Sequence, residues 1–309
     1  MATYTELKSI PVLMDEYRSA VKDVLPVVGT KRSAKENPST AFEVKGVKVN
    51  VHHLAEYTRS TCLRLGNELP MTYPYVLSFP IVMKVLTAPD SPVNAMGLVH
   101  LTNSIEQTRP LTVDDELDIQ VHAENLRPHT KGVLLDLITT VSVAGEQVWK
   151  QTSAFLSKGA KMSSQSPYKD AEPTDGRIIS PIAFDEYEDT ASTFFRVTAE
   201  DIKVYAEASG DKNPIHVSGV GAKAFGFPGV IAHGMWSAAA ILRGLEGVLP
   251  PAARFNIEFA KPVVLPSKVA LFATPAGDGA YPVPSQWDVQ LRKASKLKTL
   301  HASATVEKL

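Results

Sequence analysis

The sequence predicts an α+β protein in which one helix-and-sheet unit occurs twice. Three observations carry that prediction. The chain repeats a set of short segments in the same order. Apolar residues alternate in short runs within each half, as in antiparallel strands joined by short loops. One segment reads as a helix that is apolar on nearly every side. With 309 residues the chain is longer than one compact domain usually is and suits two.

The repeat rests on three matches. Ser104-Ile-Glu-Gln-Thr-Arg-Pro-Leu111 aligns with Asn256-Ile-Glu-Phe-Ala-Lys-Pro-Val263, sharing Ile-Glu, two spacers, a basic residue, Pro and an aliphatic residue. Upstream, Tyr73-Pro-Tyr-Val-Leu-Ser-Phe-Pro-Ile81 aligns with Phe227-Pro-Gly-Val-Ile-Ala-His-Gly-Met235. Further upstream, Val49, Leu54 and Tyr57 take the places of Val197, Ile202 and Tyr205. Three ordered matches mark a duplication. The expected division is an N-terminal domain over 1–157, a linker over 158–182 and a C-terminal domain over 183–309. The linker is rich in Ser, Pro, Gly and charge without apolar period, so it cannot build a core of its own.

Each copy should begin with a short helix. Thr198 can cap it, with Asp201 three residues on as the capping-box partner. A Gly-containing loop follows, then a second helix over Gly234–Glu246, with small side chains from Ser237 to Ala240 that suit a helix clasped by a sheet. Strands are expected around Leu117, Ile119 and Val121, and around Val269, Leu271 and Ala273. Further strands should cover Val133–Val143, Val148–Leu156, Trp287–Leu291 and Leu300–Val306.

Composition excludes several classes. The formal net charge is −1, which gives no reason to expect a nucleic-acid partner or an acidic membrane surface. Cys62 is the one cysteine, so no internal disulfide forms and no oxidising compartment is needed. The opening Met1-Ala-Thr-Tyr-Thr-Glu-Leu-Lys8 lacks a basic segment followed by an apolar run, and no apolar stretch reaches the ~18 residues of a membrane span. A cytoplasmic protein is expected. No phosphate-cradling Gly loop, dinucleotide fingerprint or nucleophile elbow is present, and His52-His53 alone is weak grounds for zinc.

The segment that carries chemistry is Tyr205-Ala-Glu-Ala-Ser-Gly-Asp-Lys-Asn-Pro-Ile-His216, followed by Ala224-Phe-Gly-Phe-Pro-Gly-Val-Ile-Ala-His-Gly-Met235. Ser209-Gly-Asp-Lys-Asn-Pro214 is turn-forming, and Pro214 pushes Asn213 into an extended conformation. Such a turn can bring Asp211 and His216 to one point. This segment resembles the MaoC-like hydratase/dehydratase family, the (R)-specific enoyl-CoA hydratases also called hydratase 2. The family's hallmark is Tyr-Ala-x-x-Ser-Gly-Asp-x-Asn-Pro-Ile/Leu-His, then Ala-x-x-x-Gly-Phe, then Ala-His-Gly-Met, and each element is matched. Direct resemblance runs from about Phe195 to Pro266; the first half follows only through the repeat.

The resemblance implies a double hotdog, two long helices each wrapped by an antiparallel sheet, with one half degenerate. It implies that the protein adds water reversibly to trans-2-enoyl thioesters, giving (3R)-3-hydroxyacyl thioesters of coenzyme A or acyl carrier protein. Asp211 and His216 become the catalytic pair, Asn213 a support of the loop, and the main-chain N–H of Gly234 the donor to the thioester oxygen. The chemistry fits the residue types. Hydration needs a base for the attacking water and an acid for C2, and each role reverses with the reaction. Charge developing on the thioester oxygen is met by an N–H at a helix start. No cofactor and no metal is implied, and a homodimer is left open. His233, Tyr73, Tyr75 and Phe79 are weaker candidates for substrate contact, with core packing as the alternative for the aromatics. Arg254, Lys261, Arg292, Lys293, Lys296 and Lys298 are candidates for a phosphate-bearing substrate, none singled out.

The first copy serves as an internal control. Its loop, Arg64-Leu-Gly-Asn-Glu-Leu-Pro70, lacks the Asp and the His. On the alignment, Phe79 stands at the position of His233 and Pro80, which has no N–H, at that of Gly234, in a first helical turn. The first half is therefore expected to have kept the shape and lost the reaction. Two rival functions are a hotdog acyl-thioester hydrolase and a non-catalytic acyl-thioester-binding subunit.

Overall fold

The computed structural model describes residues 2–23, 32–277 and 284–309. In chain order the first elements are β1 (Thr5–Glu6), α1 (Leu13–Asp23), β2 (Ala41–Lys48), α2 (Val51–Thr61), α3 (Tyr73–Thr87), β3 (Leu98–Gln107), β4 (Glu116–His129), β5 (Gly132–Val143) and β6 (Glu146–Lys158). They are followed by β7 (Thr193–Val197), α4 (Ala199–Ser209), α5 (Pro214–Val217), α6 (Gly219–Ala224), α7 (Gly234–Arg243), β8 (Ala253–Phe259), β9 (Ser267–Ala276), β10 (Gln286–Lys293) and β11 (Leu300–Lys308). The fold class is α+β, as expected, and every strand named from the sequence is present. Between Gly159 and Ile182 the chain forms turns and bends without helix or strand.

The chain divides into two compact units that interleave along the sequence. The first holds Met1–Lys48, Pro74–Asn103 and Asp114–Arg177; the second holds Val49–Tyr73, Ser104–Val113 and Ile178–Leu309. The reason is local packing: α2, from the first sequence repeat, packs against α4, from the second. Tyr57 of α2 and Tyr205 of α4 are both buried, with ring centroids 6.3 Å apart.

In the first unit the strand order is β1-β2-β4-β5-β6-β3, antiparallel between β2, β4, β5 and β6 and parallel between β1 and β2. Leu117, Ile119 and Val121 are fully buried, one face of a pleated strand. Helix α3 is apolar nearly all round, with Tyr75, Val76, Phe79, Ile81, Val82 and Met83 buried. Pro80 sits inside α3, not in its first turn, which corrects the alignment of Pro80 with the start of α7. The repeat matches across these positions, but α3 begins two turns earlier, at Tyr73, with Pro74 in the first turn where a missing N–H costs little.

In the second unit the end of β3 is followed by β8, β11, β10, β9 and β7, antiparallel wherever registers are defined. Helix α7 is buried from Met235 to Leu242. The repeated Ile-Glu pair shows a division of labour between faces. Ile105 and Ile257 are buried, while Glu106 pairs with Arg254 at 3.0 Å and Glu258 accepts the amides of Ile178 and Ile179.

The helices that precede each central helix end alike. Both α2 and α4 have 11 residues and stop at a left-handed residue, Cys62 (φ 56°) and Gly210 (φ 73°). Glycine takes that conformation without a Cβ penalty, which suits it to the turn that leads to Asp211. At the other end of α4 the expected capping box is complete. Thr198 Oγ1 accepts from Asp201 N–H at 3.2 Å, and Asp201 Oδ2 accepts from Thr198 N–H at 2.8 Å. Thr198→Ala should lower stability by about 1 kcal/mol, the usual worth of such a cap; chemical denaturation reads it as a lower midpoint at unchanged slope.

Candidate active site

The site is built by the turn between α4 and α5 and by the start of α7, all in the second unit. Gly210 ends α4, and Asp211 N–H then donates to Ser209 Oγ at 3.3 Å. Asp211 Oδ1 accepts from Asn213 N–H at 3.2 Å, and Asn213 Oδ1 from Ile215 N–H at 3.3 Å, which caps α5. Pro214 takes the first position of α5, where its fixed φ and missing donor do no harm. Four residues of helix then put His216 inward: it is 8% exposed. Asp211 remains accessible, its side chain 19% exposed.

The structure brings Asp211, His216 and His233 together, with one polar atom of each within 4.8 Å of the others. The two imidazoles stack, centroids 3.7 Å apart and planes 28° from parallel. Each has one nitrogen fixed by a main-chain carbonyl. His216 Nδ1 lies 2.8 Å from the Ile231 oxygen and His233 Nε2 lies 2.8 Å from the Asp211 oxygen. A carbonyl only accepts, so both nitrogens carry protons. When the rings are neutral, His216 Nε2 and His233 Nδ1 are left as acceptors. His233 Nδ1 is buried and has no hydrogen-bond partner among the described residues.

Burial sets the charge state. Desolvation pushes the pKa of His216 below its ordinary value, against the opposing pull of Asp211 and of the Ile231 carbonyl. For His233, burial and then the neighbouring His216 push it down to about 3, against Asp211 and its carbonyl. Two charges at 3.7 Å would repel by about 4–5 kcal/mol even at an effective dielectric of ~20. The pair is therefore neutral at pH 7.

Gly234 is the first residue of α7, directly after His233, so its N–H is among the helix amides without an intrahelical acceptor. A Cβ at Gly234 would lie 3.2–3.3 Å from three ring carbons of Phe259, closer than ordinary contact. Glycine at this position lets the helix start lie against that ring.

Of the weaker sequence candidates, His233 lies in this cluster. Tyr73 is fully buried in the second unit, its hydroxyl 2.8 Å from His53 Nδ1. Tyr75 and Phe79 lie buried in the first unit, their ring centroids 5.4 Å apart. Of the basic candidates, Arg254 pairs with Glu106 and Glu307, Lys298 with Glu186, and Arg292 is buried 3.6 Å over the ring of Phe184. Lys261, Lys293 and Lys296 stay exposed. Sequence reasoning missed the Ile231 carbonyl and the grip of His233 on the Asp211 backbone. A carbonyl is common to every residue, so nothing in the sequence marks these partners.

The three side chains could present a carboxylate and two imidazoles to one metal ion. Ligation through His233 Nε2 would break its hydrogen bond to the Asp211 carbonyl, and ligation through Nδ1 would use a buried atom. The arrangement suits an array that holds a polar substrate or water better than an ion cage.

The fold and the site together define a double-hotdog protein whose second copy carries a carboxylate beside a neutral imidazole. Comparison with known proteins agrees. Residues 187–281 match the family profile described as MaoC like domain. The chain is 39% identical over 290 residues to 3-hydroxyacyl-thioester dehydratase X of Mycobacterium tuberculosis, covering 94% of this chain and 96% of that protein. A crystal structure of HtdX from M. tuberculosis superposes with a TM-score of 0.72 at 38% identity, over 87% of this chain and all of that one. A MaoC-like dehydratase from Phytophthora capsici shares the fold at TM-score 0.68 and 16% identity, over 87% of this chain and 94% of that one. The chain belongs to the MaoC-like dehydratase family.

The buried histidines make stability fall in acid. A histidine held neutral in the fold and free at about 6.5 when unfolded takes up a proton on unfolding between the two values, so stability drops as pH falls below 6.5 and levels off near 3. At pH 5 the cost from His233 alone is about 2 kcal/mol, and His216 acts in the same direction. Denaturation at pH 7 and pH 5 should show this slope, and His233→Gln should flatten it.

Proposed function

We propose that this protein catalyses the reversible hydration of trans-2-enoyl thioesters to (3R)-3-hydroxyacyl thioesters, in fatty-acid metabolism, on coenzyme A or acyl carrier protein. The observation that carries this is the pairing of an accessible carboxylate, Asp211, with a buried neutral imidazole whose Nε2 is unprotonated. The relative with 39% identity, named as a 3-hydroxyacyl-thioester dehydratase, supports the substrate class.

Asp211 and His216 Nε2 hold one water between them. As its oxygen bonds to C3 of the enoyl group, His216 or Asp211 takes its proton and the π electrons move toward the thioester. The oxygen of the resulting enolate receives the N–H of Gly234, aided by the positive end of α7. One such donor is typically worth about 3–4 kcal/mol of barrier. The protonated group then hands that same proton to C2, which completes the addition, and dehydration runs the same steps backward. His233 touches both partners, stacking on one and holding the backbone of the other, and acts as a positioning residue. Asn213 supports the turn.

On this reading the chain is two halves, 1–157 and 183–309 joined by 158–182, and the chemistry belongs to the second alone. The first copy's loop offers neither Asp nor His. Tyr75 and Phe79 are assigned to the acyl chain on residue type, and Tyr73 to the interior. The cytoplasm is the proposed compartment: the one cysteine forms no internal pair, and no helix among the described residues is long and apolar enough to cross a membrane.

Purified protein given crotonyl-CoA should lose enoyl absorbance and yield the (3R)-hydroxy product. Asp211→Asn and His216→Ala should each cut kcat by about 10²–10⁴ with folding retained. A wild-type rate in either variant removes that residue from the mechanism. Free thiol released with no 3-hydroxyacyl product would make the protein a hydrolase. The acid limb of kcat/KM should lie below pH 6.5, because burial lowers the pKa of His216.

A further inference from the structure

A column of rings leads away from the site into the second unit. His53, Tyr73, Tyr57, Tyr205 and His233 follow one another at centroid separations of 5.7, 5.3, 6.3 and 4.9 Å, and His216 stacks on the last. The far end of this column returns to the reactive turn by a different route. His53 Nε2 lies 2.8 Å from the carbonyl oxygen of Ala208, and its Nδ1 lies 2.8 Å from the hydroxyl of Tyr73. The carbonyl only accepts, so Nε2 carries the proton; in the neutral ring Nδ1 then accepts from the Tyr73 O–H. Burial raises the Tyr73 phenol above its ordinary pKa and keeps that proton in place. Both nitrogens of His53 are occupied, and the adjacent His52 is exposed near Glu56, so the His52-His53 pair is not arranged to ligate zinc.

Ala208 belongs to the last turn of α4, where helix carbonyls have no further amide to meet. It is 4% exposed, so water is a poor substitute partner. Ser209, Gly210 and Asp211 follow directly. The hydrogen bond from His53 thus fixes where α4 stops, immediately before the left-handed Gly210 redirects the chain and Asp211 enters the site. A residue of the first repeat thus touches the backbone that leads into Asp211 in the second.

We infer that His53, oriented by Tyr73, is a positioning residue for Asp211, acting through the Ala208 carbonyl. This rests on the reading of Asp211 as a group that handles the reacting water. The test compares His53→Leu, His53→Gln and Tyr73→Phe with wild type and with Asp211→Asn, measuring kcat and KM on crotonyl-CoA alongside thermal unfolding. Leucine fills similar space without a donor; glutamine restores a donor that can reach Ala208. His53→Leu should lower kcat about tenfold, a small displacement of a reacting group, with KM within about twofold. His53→Gln should recover most of that loss, and Tyr73→Phe should fall between. Equal rates for folded Leu and Gln variants mean that the ring only packs, which overturns the inference. If Asp211→Asn is inactive while folded His53→Leu keeps the wild-type kcat, this inference alone fails. If Asp211→Asn keeps its rate, the underlying reading fails instead. Should His53→Leu not fold, Tyr73→Phe decides: a lowered kcat supports the inference and a wild-type kcat overturns it.

Discussion

Two imidazoles stacked in a buried place cannot both be charged, and the site is organised around that constraint. Desolvation outweighs the attraction of Asp211 for either ring, so both stay neutral and each keeps one bare nitrogen. Main-chain carbonyls then decide which nitrogen that is. Ile231 takes the proton-bearing side of His216, and Asp211's own carbonyl takes that of His233. The carboxylate and the two imidazoles are thereby coupled through backbone as well as through space. A shift of the turn would move both.

The same economy governs the helix ends. Gly210 and Gly234 stand where α4 stops and α7 starts, and each is glycine for a separate reason. Gly210 needs a left-handed φ of 73°, whereas Gly234 needs room against the Phe259 ring. Between them, α5 and α6 provide a short helical excursion that the first copy lacks. There the chain runs from Cys62 to α3 without a helix. Helices α2 and α4 pack on each other, and of the two only α4 leads into a turn that carries an Asp and a His.

Interleaving of the compact units follows from that pairing. Sequence comparison divides the chain into consecutive halves, but α2 buries its apolar face against α4 and so joins the second unit. Burial decides unit membership, and burial does not respect chain order. Pro80 shows a related limit. The repeat aligned it with the start of α7, yet α3 begins at Tyr73 and runs through it. Alignment compares residues; a helix start is set by which amides lose their partners.

What the sequence settled by itself was local. Alternating apolar residues specified the strands, and Thr198 with Asp201 specified the start of α4. The order Ser-Gly-Asp-Lys-Asn-Pro-Ile-His marked the turn that presents Asp211 and His216, because turn geometry and side-chain chemistry are written in residue type. Tertiary structure decided the tautomer of His216, the neutrality of His233 and the link from His53 to Ala208. Those depend on carbonyls and on burial. Every residue carries the same carbonyl, and no residue carries its own solvent exposure, so only the folded chain could assign them.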